Sequence, residues 1–366
     1  MEIRVKRSEL LNELMPMQGI VERRTTIPVL SHILLRGDDN QLNLAATDLD
    51  VSLTTACKAE IDGSGGIAVQ ARKFIEIIRA VVGEEIQLLL EDDKRLKIVA
   101  GNSRFKINGL SPEDFPTLPD VTSESGTLIP FAQLKAMIGK VIFAVSSEES
   151  RFQLNGALLH LKDGGLEIVA TDGHRLALIE NDLDGSQEGE GVLVPRKALQ
   201  EILRFEGEET VNFRRGEHHL SFQLGQRELI CRILEGTFPD YERVISKDND
   251  KKAVFDRKNL SEAVQRVALL TGDRARAVSL QIEDNKLLIS AANPDLGEAA
   301  EELECEYEGT SEIRMGINPD YMVQFLSAVG TDKVFFELKD ENTQCVGFPV
   351  EGQDKRYLCV IMPMRI

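Results

Sequence analysis

Two pairs of adjacent cations, Arg72-Lys73 and Arg196-Lys197, each open a predicted helix, and the pairs stand 124 residues apart. Side chains of this type at a solvated helix start neutralise phosphate rather than move protons. Other groups could make or break bonds. Asp172-Gly173-His174 could orient an imidazole, and Ser146-Ser147 offers hydroxyl nucleophiles. Neither has a third partner at a recognisable spacing, and there is no GxSxG elbow. Asp48 repeats Asp172 without a histidine, so these aspartates are expected to serve a turn between two strands. A GxxxxGK[ST] phosphate loop is missing. Glu91-Asp92-Asp93 and Asp248-Asn249-Asp250 lack EF-hand spacing and read as solvated turns, and His218-His219 as a hairpin tip. The cysteines (Cys57, Cys231, Cys305, Cys345, Cys359) are odd in number and form no CxxC pair. They read as reduced thiols of a cytosolic protein. Catalysis, a metal site and a cofactor are not expected.

The charge is unevenly distributed. The chain carries −18 overall, yet its six predicted helical segments together carry +6, leaving −24 on strands and loops. Solvated helix charges are the plain alternative. With repetition, the partition suggests a basic helical face opposed by an acidic outer skin, which would attract a phosphate backbone on one side only.

The elements that must carry these cations recur three times in the 366 residues. Leu42–Asp48 and Leu166–Asp172 are the clearest copies of a strand that ends in Thr-Asp, and Leu287–Asn293 is a degraded third. Asp48 to Asp172 and Arg72 to Arg196 both span 124 residues, and Phe115 to Phe238 spans 123. A spacing this steady means triplication of a whole domain, with a period far above that of solenoid repeats. Helices are expected from Ser8, over 71–82, from Pro130, over Arg196–Phe205, from an Asn259 cap to Leu270, and over Pro319–Val329. Alternating apolar stretches, 30–36, 41–47, 50–60, 153–161, 165–171 and 175–180 among them, read as strands. Polar connectors at 116–126 and 246–252 suggest domains at 1–120, 127–246 and 253–366. No stretch resembles a signal peptide or a membrane span, which points to the cytoplasm.

Thr171-Asp172-Gly173-His174-Arg175-Leu176-Ala177, Pro195-Arg196-Lys197, Phe238-Pro239-Asp240-Tyr241 and the terminal Met362-Pro363-Met364-Arg365-Ile366 together resemble the bacterial DNA sliding clamps, the beta subunits of DNA polymerase III. The likeness runs the whole chain, in order. It implies an α+β fold of three clamp domains, each with two inner helices and outer antiparallel sheets. Two chains would join head to tail in a ring around duplex DNA, without catalysis and without a cofactor.

Carried over by position, the resemblance implies DNA-facing roles for Arg24, Arg72, Lys73, Arg151, Arg196, Lys197 and Arg204, with Arg23 competing with Arg24. It also implies a pocket for partner peptides at Leu154, Thr171, Gly173, His174, Arg175, Leu176, Pro239, Arg243, Val244, Val346, Val360, Met362, Pro363, Met364 and Arg365. Methionine surface suits several different peptides, and arginines at the rim would fix their orientation. Gln153 and Gln344 depart from the aromatic and aliphatic residues that relatives use there. Ring closure would set Ile77, Val81 and Phe105 against Leu269 and Leu270 of a second copy. Expected partners are double-stranded DNA, a second copy of the chain, the replicative polymerase, a clamp loader, and translesion polymerases and repair proteins with clamp-binding peptides. The alternative is a triplicate interaction scaffold that does not encircle DNA.

Overall fold

Apolar residues at helical spacing and at strand alternation sort the chain into six α-helices and antiparallel sheets in a computed structural model, which describes residues 1–22, 25–38, 40–92, 94–121, 126–272 and 276–365. The helices are α1 (Arg7–Ile20), α2 (Ala71–Ala80), α3 (Phe131–Val141), α4 (Arg196–Arg204), α5 (Arg257–Ala268) and α6 (Pro319–Ala328). Leu10, Leu14, Met17 and Ile20 bury one face of α1. Ser8 does not open that helix; Arg7 does. Its guanidinium reaches the last carbonyls of α2, at Ile78 (2.9 Å) and Arg79 (2.6 Å). Arg257, first in α5, reaches the end of α6 at the Leu326 carbonyl (3.2 Å) and the Thr331 carbonyl just beyond it (2.7 Å). A cation on the negative end of a helix stabilises it by roughly 1 kcal/mol. The cap of α5 is Asp256, which accepts the Asn259 amide (2.8 Å), and not Asn259 itself.

The chain forms two compact units. One comprises Met1–Leu134 and Lys197–Ile233. Its twelve-stranded sheet pairs Glu2–Lys6 with both Glu85–Asp92 and Val51–Asp62, then passes from Val51–Asp62 into Arg227–Arg232, with Ser52 opposite Ile230. Pro16 sits inside α1 and has no amide to offer Asn12 four residues earlier. The Asn12 carbonyl accepts from Arg227 instead (3.5 Å), while the same guanidinium forks onto Glu13 (2.8 Å to each oxygen). Burial alone would raise the Glu13 carboxyl; hydrogen bonds from Arg227 and Thr55 outweigh it and leave it lowered.

The other unit comprises Lys135–Arg196 and Leu234–Ile366. Here a nine-stranded sheet crosses a corresponding seam, Arg175–Asp182 against Arg356–Ile361, with Leu176 opposite Val360. A separate four-stranded sheet has Gly297–Glu304 at its edge. The repeat extends to register, since Leu34 faces Ala45 as Leu158 faces Val169.

All five cysteines are buried free thiols. Burial pushes those of Cys57, Cys231 and Cys345 up to about 12 and that of Cys305 up to about 11. No helix among the described residues is long and apolar enough to cross a membrane.

Candidate functional site

The Thr-Asp motif folds into a turn closed by its own side chains. Asp172 Oδ1 accepts from the amides of His174 (2.9 Å) and Arg175 (3.0 Å), and Thr171 Oγ1 accepts from that of Gly173 (3.1 Å). Asp48 does the same for Asp50 and Val51, and Asn293 for Asp295 and Leu296, so even the degraded third copy keeps the turn. Gly173 has φ +88°, a conformation that favours glycine. The exposed His174 carbonyl accepts the amide of Met362 (2.9 Å), which brings the chain end alongside the turn.

Arg175 is not the free rim arginine expected from the sequence. It is 8% exposed, its Nε donates to Asp172 (3.1 Å), and its other nitrogens reach Gln324 and the Phe143 carbonyl. The guanidinium also lies over the ring of Tyr321, 4.4 Å from the centroid. Tyr321 in turn stacks on His174 at 6.4 Å. Arg175 therefore fixes the turn from beneath. Phe143, Tyr321 and Gln324 were missed from sequence, because nothing in their spacing ties them to a turn so distant in the chain. A cleft of about 400 Å³ joins Tyr321, His174 and Arg175 to Arg196, which brings a predicted DNA-facing residue beside predicted pocket residues.

Leu176, Val346 and Val360 are fully buried in one cluster with Val169, Leu178 and Leu358, and Leu154 is buried too. They form a floor and not a contact surface. The exposed or half-buried members are Gly173, His174, Pro239, Arg243, Val244, Met362, Pro363, Met364 and Arg365. Met362 is 39% exposed, while Met364 is held by its amide to the Gly316 carbonyl (2.8 Å). Pro363, Met364 and Arg365 line a cleft of about 670 Å³ together with Arg314, Met315 and Asn342. Arg243 pairs with Asp240 (2.7 Å). Gln344 donates to the Val244 carbonyl (2.8 Å) and so fixes the segment on which Val244 sits. Phe152, beside Gln153, is exposed and supplies an aromatic surface that Gln153 lacks.

The predicted DNA-facing residues differ in freedom. Arg72 and Lys73 are exposed on the first turn of α2 and pair with Glu76 (2.9 and 2.7 Å). Hydrogen bonds from Lys73 and Arg72 hold that carboxyl low. Arg204 is largely exposed and bonds Glu201 (2.5 Å). Glu201 is buried against Gly19, one of its oxygens has no partner among the described residues, and burial raises its carboxyl despite Arg204. Lys197 is not a free arm: its ammonium binds Asp48 and the last carbonyl of α1, at Ile20 (2.6 Å). Arg151 lies over the 171–175 turn, 3.5 Å from the Asp172 carbonyl. Arg23 and Arg24 lie outside the described residues. With the observed bounds, the six helices still sum to +6.

Of the predicted interface residues, Leu269 is 78% exposed, Phe105 is exposed, and Ile77 and Leu270 are half-buried. Val81 belongs to the core instead. α2 stops at Ala80, and the extended backbone of Val81 turns its side chain inward, leaving Val82 exposed at 85%. Phe105 lies on Ser103–Leu110, whose first half pairs on one side only among the described residues.

Family models of the N-terminal, central and C-terminal domains of the DNA polymerase III beta subunit match residues 1–119, 128–240 and 242–365. The beta sliding clamp of Pseudomonas aeruginosa is 36% identical over 370 residues, covering all of both chains. That of Caulobacter vibrioides is 35% identical over 375 residues, again covering both completely. The solved structure of the Pseudomonas aeruginosa sliding clamp bound to griselimycin superposes with a TM-score of 0.94 over all of both chains, at 36% identity.

Proposed function

The chain belongs to the beta sliding clamp family of DNA polymerase III, and on that footing we propose that two copies close head to tail into a ring that encircles duplex DNA and tethers the replicative polymerase. The three clamp domains divide at about 1–120, 127–246 and 253–366. The observation that carries the tethering is the exposed edge around the 171–175 turn: Met362, Pro363 and Val244 offer apolar surface above a fully buried floor, with His174 and Arg243 beside it. Such a groove accepts a short apolar peptide. The replicative polymerase, the clamp loader, translesion polymerases and repair proteins take turns in it, in the cytoplasm at the replicating DNA.

DNA is held by the ring's topology and by diffuse phosphate contacts from Arg72, Lys73, Arg196 and Arg204. Lys197 contributes less, since its ammonium is engaged by Asp48 and the end of α1, while Arg151 stays exposed over the 171–175 turn and adds its charge to the rest. Non-specific contacts of about 10⁻⁴–10⁻⁶ M permit sliding. Closure sets Phe105, Ile77 and Val82 of one copy against Leu269 and Leu270 of the other. Charge supports this pairing, because the half of Ser103–Leu110 that pairs on one side only carries Arg104 and Lys106, while the edge strand Gly297–Glu304 carries Glu298, Glu301, Glu302 and Glu304.

The test is retention on a nicked circular plasmid after loading. The dimer should stay bound through gel filtration at moderate salt and escape when the plasmid is linearised. A Leu269→Asp, Leu270→Asp variant should sediment as a folded monomer and not be retained. Equal retention on circular and linear DNA would turn the reading toward a scaffold.

A further inference from the structure

The chain has five cysteine and eight methionine sulfurs, and the fold takes most of them out of an oxidant's reach. Every cysteine is buried, and burial pushes each thiol up, so none presents the thiolate that would reduce a peroxide. Met17, Met137, Met315 and Met322 are buried as well. Met1 turns its sulfur onto Gly37, where a Cβ would stand 2.8 Å from it. Met15 is as exposed as Met362, but its sulfur accepts a hydrogen bond from Arg79 (3.0 Å). A donor on a thioether draws on the lone pairs that must attack the oxidant. Met362 and the half-buried Met364 remain, and both belong to the chain end beside the 171–175 turn.

Their backbone holds them in place. The Met362 amide donates to the His174 carbonyl (2.9 Å) and the Met364 amide to the Gly316 carbonyl (2.8 Å), so the chain end cannot withdraw its side chains without breaking these bonds. Met315 supplies the contrast within the same cleft, which it lines together with Met364 while staying buried. The floor beneath, Leu176, Val346 and Val360, contains no sulfur. An oxidant that reaches this face therefore meets Met362 first, and the fold does not depend on what happens there.

We propose that Met362 is a site of reversible oxidation by a peroxide, with Met364 second to it, and that the sulfoxide turns partner peptides away from the groove. The inference rests on the reading of this edge as the partner groove. In the step itself the thioether sulfur attacks one peroxide oxygen, a sulfur–oxygen bond forms and the oxygen–oxygen bond breaks. Sulfur loses two electrons, and the departing hydroxide takes the proton of the transferred oxygen and leaves as water. No charge is gained. The adaptable apolar surface becomes a strong acceptor, which a bound apolar peptide would have to bury without a donor.

The test treats the full-length protein with hydrogen peroxide until about one oxygen is gained per chain, and places that oxygen by tandem mass spectrometry. It should fall mainly on Met362, ahead of Met15 and Met1. In calorimetry a polymerase-derived peptide should bind the oxidised protein about tenfold more weakly than the untreated protein, with Tm unmoved. Methionine sulfoxide reductases A and B together should restore binding, since each reduces one sulfoxide epimer. A volume-conserving variant, Met362→Leu with Met364→Leu, is compared only with itself; whatever its starting affinity, peroxide should change it by less than about twofold. Peptide bound beforehand should slow oxidation of Met362 and leave that of Met15 unaltered. A first oxygen on Met15 or Met1, unchanged affinity after oxidation at Met362, a loss that comes with unfolding, or an equal loss in the leucine variant would each overturn the proposal. Should the untreated protein not take the peptide at all, the groove reading itself falls, and this proposal with it.

Discussion

The two seams of the chain are the same joint built twice, and the proposed partner groove lies at only one of them. In the first unit Val51–Asp62 meets Arg227–Arg232, and in the second Arg175–Asp182 meets Arg356–Ile361. Each follows an aspartate turn with the same pair of amide bonds. Around the first turn, polar groups satisfy one another: Thr47 bonds Ser52 (2.8 Å) and Lys197 binds Asp48. Around the second, Leu176 replaces Ser52, Gly173 replaces Leu49, and the chain runs on into Met-Pro-Met-Arg. A self-satisfied seam is structural. A seam whose polar groups are bolted from beneath by Arg175 leaves its upper surface apolar and open.

The largest test of that contrast is Arg175→Ala. It strips Asp172, Gln324 and the Phe143 carbonyl of one buried partner and should cost about 3 kcal/mol in urea unfolding. Lys197→Ala, the corresponding loss at the half-exposed first turn, should cost only about 1 kcal/mol. Equal costs would mean that the seams are held alike. Next in size is partner binding. His174→Ala or Met364→Ala should weaken a polymerase-derived peptide by more than about fivefold in calorimetry without lowering Tm, whereas Asp50→Ala, the repeat counterpart of His174, should do nothing.

A smaller effect separates the turns themselves. Leu49 holds φ +82° with a side chain, where Gly173 holds φ +88° without one. Leu49→Gly should therefore stabilise by about 1 kcal/mol, and Gly173→Leu should destabilise by a similar amount. Thermal melts of the two variants moving in the same direction would contradict this. An effect of similar size is expected for Glu201→Gln. The buried Glu201 carboxyl is raised in the native state, so its ionisation costs stability as pH climbs through that raised value. The variant should gain about 1 kcal/mol at neutral pH, and the gain should vanish below the ordinary carboxyl range, where both native and unfolded chains are protonated. A gain that persists in acid would assign the effect to packing.

What the sequence made legible was local and repeated. Asp48, Asp172 and Asn293 announced their turns because an Asx turn needs only its own neighbours. Helix periodicity located all six helices, although Pro130 ends a strand rather than begins a helix. Single-residue details escaped wherever the backbone changes direction. Val81 and Val82 differ only in which one follows the extended exit of α2, and Asp256 captures α5 three residues before Asn259. The surface proposed as the partner groove was half legible. Its exposed rim followed from the chain end, but Tyr321 and Phe143 meet Arg175 only through tertiary packing, and Lys197 is pinned by groups far from it in the chain.

The buried cysteines give the seams a clock. Cys231 faces Val51 across the first seam, and Cys359 faces Ala177 across the second, each with no exposed surface and a thiol that burial keeps protonated. A thiol that is neither ionised nor reachable reacts only while its strand pair is parted. The rates at which a maleimide consumes these two residues in the native protein therefore time the opening of each joint separately, without any introduced label.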